Sequence, residues 1–195
     1  MKQNCIYSFR CAFLIVLSLL LVGCSKYIRS DALHQLQVGS PLSELSPLTF
    51  AIKEFVDVRG IDPQLIGPRI HVDQPVSKII TTAISKEFER NGHKVLLYSS
   101  ESKAGYIIEG TIYKFFINGG LSGMGVEYIG NVAVKISISS ASHSKVFVKK
   151  YEGEHSQIMK LHPSTATLTE ILDQTQIRMI RDMSVDQELL TFLKK

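Results

Sequence analysis

Residues 106–139 read YIIEGTIYKFFINGGLSGMGVEYIGNVAVKISIS, and this stretch decides the fold. Residues 106–117 are rich in β-branched and aromatic side chains, and residues 126–139 alternate between apolar and polar. The glycine-rich segment 119–125 between them predicts a flexible turn. Residues 145–152 carry a third run of strand-forming residues. Because short connections join the three segments, they predict an antiparallel meander.

The segment upstream of the meander predicts a strand, a helix and a second strand. Residues 48–55 alternate onto one face, and residues 94–98 form a short apolar run. Between these strands, apolar side chains recur at helical spacing and form one stripe: Val76, Ile79, Ile80, Ala83, Ile84 and Phe88. We expect Asp73 or Gln74 to cap this helix, and residues 57–67 to form an irregular loop. A right-handed crossover then places the two strands in parallel.

The C-terminal part of the chain predicts a second helix. Thr167 and Glu170 have the spacing of a capping box, and an apolar stripe follows: Leu168, Ile171, Leu172, Thr175, Met179 and Met183. The order β-α-β-β-β-β-α predicts an α/β (α+β) two-layer sandwich, with a mixed five-stranded sheet and both helices on one face. The other face is expected to be half polar, with Lys135, Ser137 and Ser139 on it.

The first 23 residues are built like a secretory signal. Lys2 and Arg10 are their only charged side chains, and the apolar run 12–22 is shorter than the roughly 20 residues of a membrane-spanning helix. The run ends in Leu-Val-Gly23-Cys24, which resembles the bacterial lipobox. It predicts signal cleavage between Gly23 and Cys24 and lipidation of the Cys24 thiol. Two alternatives stay open, an uncleaved anchor helix and a signal that is cleaved without lipid addition.

The predicted mature chain is divided into two parts. Residues 24–46 are polar and contain glycine, proline and several serines, which predicts a lipidated tether, and residues 47–195 predict a single domain. Cys24 is the only cysteine left, so an intramolecular disulfide is excluded. Without Lys2 and Arg10, 20 basic residues stand against 18 acidic ones, and this balance gives no argument for a nucleic-acid partner.

The lipobox and several short motifs are similar to the YajG-type family of bacterial lipoproteins. The motifs are FVDVR at 55–59, LIG at 65–67, AGYIIEGTI at 104–112 and KYEG at 150–153. The layout is also similar to auxiliary lipoproteins of ABC-type transport systems and to the N-terminal domain of TolB. The resemblance implies a non-catalytic envelope protein and transfers no active-site residues. Under the usual enterobacterial sorting rule, Ser25 after the lipidated cysteine implies an outer-membrane anchor facing the periplasm.

Four residues are candidate contacts for a partner or ligand. Asp57 and Arg59 lie two apart at a strand end, where a local ion pair is the simpler interpretation. Leu121 and Met124 place apolar groups at the predicted hairpin tip, which could touch a lipid surface or a partner.

Catalysis, metals and cofactors are not expected. The six histidines show no metal-ligand spacing, and the mature chain has neither a Gly-x-Ser-x-Gly elbow nor a free cysteine nucleophile. We therefore expect a membrane-anchored, non-catalytic accessory or interaction module with a protein partner in the envelope. The alternative is a periplasmic binding module for lipid or another small hydrophobic ligand, which requires an apolar pocket of some hundreds of cubic ångströms.

Overall fold

A computed structural model describes residues 25–29, 40–97, 104–123, 125–140, 145–159 and 163–194. The elements, in chain order, are β1 (Lys26–Ile28), a 3-10 helix (Pro41–Glu44), β2 (Thr49–Ile52), β3 (Val56–Asp57), β4 (Leu65–Gly67), β5 (Ile70–Val72), α1 (Val76–Arg90), β6 (Lys94–Leu97), β7 (Tyr106–Ser122), β8 (Gly125–Ser140), β9 (Val146–Met159), α2 (Thr165–Ser184) and α3 (Gln187–Leu193).

The main sheet confirms the predicted fold class. Its strand order is β6-β2-β7-β8-β9, and the two-residue strand β3 also pairs with β7. β2 runs parallel to β6, as the strand–helix–strand unit predicts, and it also runs parallel to β7. β7, β8 and β9 form the predicted antiparallel meander. The protein is thus a mixed α+β sandwich.

A second, three-stranded sheet lies where the sequence predicted no strands. Its order is β1-β5-β4. The prediction of an irregular loop over residues 57–67 was therefore wrong for β4, and Asp57 at the start of that range belongs to β3 of the main sheet. β4 and β5 bury Ile66 and Val72, but each strand is too short to show a two-residue period of apolar side chains. β1 comes from the predicted tether and buries Ile28, and Leu42 and Leu45 of the same segment are also buried. The domain boundary near residue 46 stays a prediction.

Both helix caps differ from the predicted ones. α1 begins at Val76 with Pro75 in the capping position, so neither Asp73 nor Gln74 caps it. α2 begins at Thr165, and the Ser164 hydroxyl accepts a hydrogen bond from the Thr167 backbone N–H. Since the capping residue satisfies an early backbone donor, Ser164 replaces Thr167 as the cap.

Helix α2 packs closely on the meander at two glycines. A Cβ on Gly153 of β9 would collide with the Thr175 carbonyl, and a Cβ on Gly130 of β8 would collide with the Thr175 hydroxyl. Glycine permits this approach because it has no side chain. The predicted stripe on α2 is buried in the core that results.

The hairpin of β7 and β8 is longer than predicted. Strand pairing continues through Gly119 and Gly120 to the pair Ser122–Gly125, so most of the predicted flexible turn is sheet. The Tyr128 ring lies over Gly119, where an added Cβ would meet its Cε1 at 3.0 Å. An aromatic ring over a glycine replaces the missing side-chain contacts of the strand. In the described ranges, the helices do not combine the length and apolarity that a membrane span requires.

Candidate functional site

The predicted site residues fall in different places. Gly23, Cys24 and Met124 lie outside the described residues. Leu121 is 96% exposed near the end of the β7–β8 hairpin. Asp57 and Arg59 lie at the end of β3, far from that hairpin end along β7, because Asp57 pairs with Ile112.

Arg59 is buried and fully hydrogen-bonded. Its side chain is 4% exposed, and its Nε and one terminal nitrogen donate to Asp57 Oδ1 and Oδ2 at 2.9 and 2.7 Å. The same guanidinium donates to the carbonyls of Leu65 and Phe115 at 2.8 and 2.9 Å, and to that of Pro63 at 3.1 Å. All five N–H groups are therefore used, and they join β3, β4 and β7.

The Asp57 carboxylate is held in its charged form. Burial acts to raise the pKa of Asp57, but hydrogen bonds from Arg59 and its positive charge outweigh burial and lower that pKa below 3.8. The local ion pair considered as the simpler interpretation is present. A ligand contact at Arg59 stays a prediction, and it would require the exchange of at least one of these internal bonds.

An apolar groove of about 650 Å³ lies between the small sheet, the β7–β8 hairpin and the start of α2. We call it the anchor-side groove, because β1, which contributes Lys26 to it, starts two residues after Cys24, the predicted site of lipid addition. Its lining residues are Lys26, Pro68, Arg69, Ile70, Ile117, Gly119, Val126, Tyr128, Pro163 and Leu168. The volume is within the roughly 300–1,000 Å³ of ligand pockets. Sequence reasoning missed the groove because its walls come from distant segments.

The two charged residues in the described lining of the anchor-side groove are both cations. Lys26 Nζ donates to the Pro163 carbonyl at 2.6 Å, which connects β1 to the residues before α2. Arg69 lies in the two-residue turn between β4 and β5, is exposed, and has a backbone φ of 62°. Within the described residues, its guanidinium has no hydrogen bond or ion pair. The groove thus combines an apolar wall with two positive charges.

The second notable surface is the free edge of β9. This 14-residue strand pairs with β8 on one side, and its other edge has no strand partner in the described ranges. The Glu154 carbonyl accepts a hydrogen bond from Arg178 at 2.7 Å, so this carbonyl points away from β8. Successive residues of an antiparallel strand direct their backbone N–H and C=O groups to opposite edges. The N–H and C=O groups of the even-numbered residues of β9 therefore point to the open edge. Val146 and Val148 among them are 58% and 57% exposed.

Side chains of the C-terminal region fix the orientation of β9. The Tyr151 hydroxyl donates to Asp186 Oδ2 at 2.6 Å, and Lys149 Nζ binds Asp186 and Glu188 at 3.0 and 2.9 Å. Burial, followed by this bond to Asp186, raises the pKa of Tyr151. The phenol therefore stays protonated and able to donate at physiological pH.

The described residues contain no group of three or more His, Cys, Asp or Glu side chains placed to hold a metal ion.

Comparison with known protein families identifies the family of the chain. A family described as uncharacterized lipoprotein matches residues 64–194. The chain belongs to this family. The resemblance to YajG-type bacterial lipoproteins is therefore confirmed, and lipoprotein membership implies a lipid-anchored position at a membrane of the cell envelope. The matched range includes β9 and most of the anchor-side groove.

Solved structures show the same fold as this lipoprotein. Protein XCC0632 from Xanthomonas campestris, assigned to the family DUF330, has a TM-score of 0.63 at 11% identity, with 86% of this chain and 96% of that chain covered. An uncharacterized protein has a TM-score of 0.55 at 7% identity, with coverages of 83% and 97%. No functionally curated protein matches the chain. At these identities the likeness establishes the fold alone.

Proposed function

We propose that this lipoprotein is a non-catalytic accessory module of an envelope transport or assembly system. Lipid on Cys24 holds it at the outer membrane, facing the periplasm, and it docks on a protein partner through the edge of β9. The observation that carries this proposal is the open edge itself, which is long and bears exposed Val146 and Val148.

Strand addition explains why such an edge would bind a partner. Unpaired backbone N–H and C=O groups can pair with an extended segment of another chain, and alternate side chains supply specificity. Long exposed edges are usually blocked, since they otherwise promote aggregation. In the part of the chain that the structure describes, Arg178 covers the Glu154 carbonyl of β9, and Val146 and Val148 lie beyond this contact.

A proline scan of β9 tests this proposal. The Val148 N–H is expected to point to the open edge, so Val148→Pro removes a donor for the partner and keeps the ladder to β8. Phe147→Pro is the matched variant, because the Phe147 N–H is expected to pair with β8. A photoreactive residue is placed at Val146, and a second one at exposed Lys86 on α1 as the control.

Cells are irradiated with their membranes intact, and adducts are identified by mass spectrometry. The expected result is one discrete protein adduct from position 146, lost in Val148→Pro, and none from position 86. Equal adducts from both positions, or an adduct at 146 that survives Val148→Pro in a folded protein, would contradict docking through this edge.

The anchor-side groove favours a second candidate function, the binding of lipid or a small hydrophobic ligand. A well-packed interaction module needs no apolar groove of about 650 Å³ beside its anchor. Analysis of organic extracts of the purified lipoprotein tests this candidate, because a ligand-binding module retains a stoichiometric hydrophobic compound besides its own acyl chains.

A further inference from the structure

Arg69 occupies a backbone position that favours glycine. Gly67 and Ile70 pair with each other, so Pro68 and Arg69 form a tight turn with Arg69 at φ 62°. Side chains with a Cβ rarely adopt this left-handed conformation, because Cβ approaches the following carbonyl oxygen. In the described part of the chain, Arg69 is the only residue other than glycine with a positive φ. The unfavourable conformation places an exposed guanidinium at the rim of the anchor-side groove.

Lys26 adds a second positive charge to the same rim. Its ammonium has three donors, and the bond to the Pro163 carbonyl uses one of them. The Lys26 backbone N–H also donates to the Arg69 carbonyl at 2.8 Å, which holds the two residues side by side. None of the described residues that line the groove is acidic. This charge pattern complements an anionic group.

The apolar wall of the groove and the distance of the groove from Cys24 further restrict the chemical class of the ligand. Val126 and Tyr128, which are half-buried, form the accessible part of the apolar wall beside the two cations. Ile70, Ile117 and Leu168 lie beneath them and are buried. Leu121 pairs with Val126 across the hairpin and therefore extends this wall outward. Two residues of extended chain span about 7 Å, so an acylated Cys24 would keep Lys26 at the level of the lipid headgroups.

We infer that the anchor-side groove binds one anionic phospholipid from the membrane that holds the lipoprotein. One acyl chain lies along the apolar wall, and the phosphate accepts hydrogen bonds from Arg69 and Lys26. This inference rests on the ligand-binding candidate above and names its ligand class and its headgroup residues.

Native mass spectrometry of the full-length, lipidated protein in non-ionic detergent tests the inference. Dioleoylphosphatidylglycerol is the probe, and dioleoylglycerol, which has the same chains without phosphate, is the comparison ligand. Arg69→Gly removes the headgroup contact and relieves the left-handed conformation. Lys86→Ala removes one exposed positive charge from α1 and serves as the matched control. Val126→Glu places a carboxylate in the apolar wall.

The wild-type protein is expected to bind one phosphatidylglycerol. Arg69→Gly should weaken this binding by about tenfold or more, since charge-assisted hydrogen bonds are lost, and should melt no lower than the wild type. Lys86→Ala should bind like the wild type, and Val126→Glu should bind neither lipid.

Two results overturn the inference in different ways. If wild type and Arg69→Gly bind both lipids equally, the groove is an apolar ligand site, and the phosphate contact is refuted. If no added lipid binds to the wild type, the ligand-binding candidate fails together with the inference, whereas docking through the β9 edge is unaffected.

Discussion

Replacement of Arg59 by leucine tests how much the buried ion pair contributes to stability. The substitution keeps an apolar stem but removes five donors. Two of them bind Asp57, and the others bind the carbonyls of Leu65, Phe115 and Pro63. Asp57 would then keep a charged carboxylate in a place where its side chain is 13% exposed.

The structure predicts that Arg59→Leu strongly lowers the free energy of unfolding. At 4% exposure, Arg59 is little screened by solvent. Removal of one partner from a buried ion pair lowers the free energy of unfolding by about 3–5 kcal/mol, because the other charge stays buried without its partner. The whole domain is expected to be stable by only about 5–15 kcal/mol. Arg59→Lys keeps the charge but not the planar fork of donors, so we expect about half of the loss.

Urea unfolding followed by circular dichroism measures these differences. Lys150→Ala is the control, since the Lys150–Glu152 pair is 50% and 57% exposed and such surface pairs contribute about 0–1 kcal/mol. In a double-mutant cycle, Asp57→Ala should cost less in the Arg59→Leu background than in the wild type. A loss for Arg59→Leu no larger than that for Lys150→Ala would refute the structural role assigned to Arg59.

Three further predictions concern pH, packing and the anchor. Burial lowers the pKa of His93 below 6.5, so protonation favours the unfolded chain, and the free energy of unfolding should fall as pH drops below about 6.5. Urea titrations from pH 7.5 to 5.0 check this, and a His93→Gln variant that shows the same pH slope would assign the effect to other groups. Gly153→Ala should lower the unfolding free energy by about 1–3 kcal/mol through overpacking against α2, whereas Gly120→Ala, with open space around it, should change it little; equal melting temperatures would contradict this. Cys24→Ser should release the mature protein from the membrane fraction or leave an uncleaved precursor, and unchanged membrane retention of a cleaved product would exclude lipid on Cys24.

The parts of the fold that the sequence predicted are those with strong local periodicity. The stripe from Val76 to Phe88 matches α1, and the alternation over residues 126–139 matches β8. In both segments, adjacent turns or adjacent residues carry the signal, so no knowledge of distant partners is needed. The family resemblance rested on short motifs, and the match over residues 64–194 confirms it.

The parts that the sequence did not predict depend on distant partners. β1 is three residues long, and its strand partner β5 lies more than 40 positions away along the chain. The sequence indicated an ion pair at Asp57 and Arg59 but not its burial, because the carbonyl acceptors at Leu65 and Phe115 belong to other strands. The anchor-side groove has the same origin, since its lining extends from Lys26 to Leu168.

The early start of β1 has a mechanical consequence. With acyl chains on Cys24, any tension between the bilayer and a bound partner enters the folded domain through Lys26–Ile28. This strand resists the load with its bonds to β5 and with the Lys26 contact at Pro163. Because it is short, it would yield before the meander does, and its own three residues would add about 10 Å to the connection.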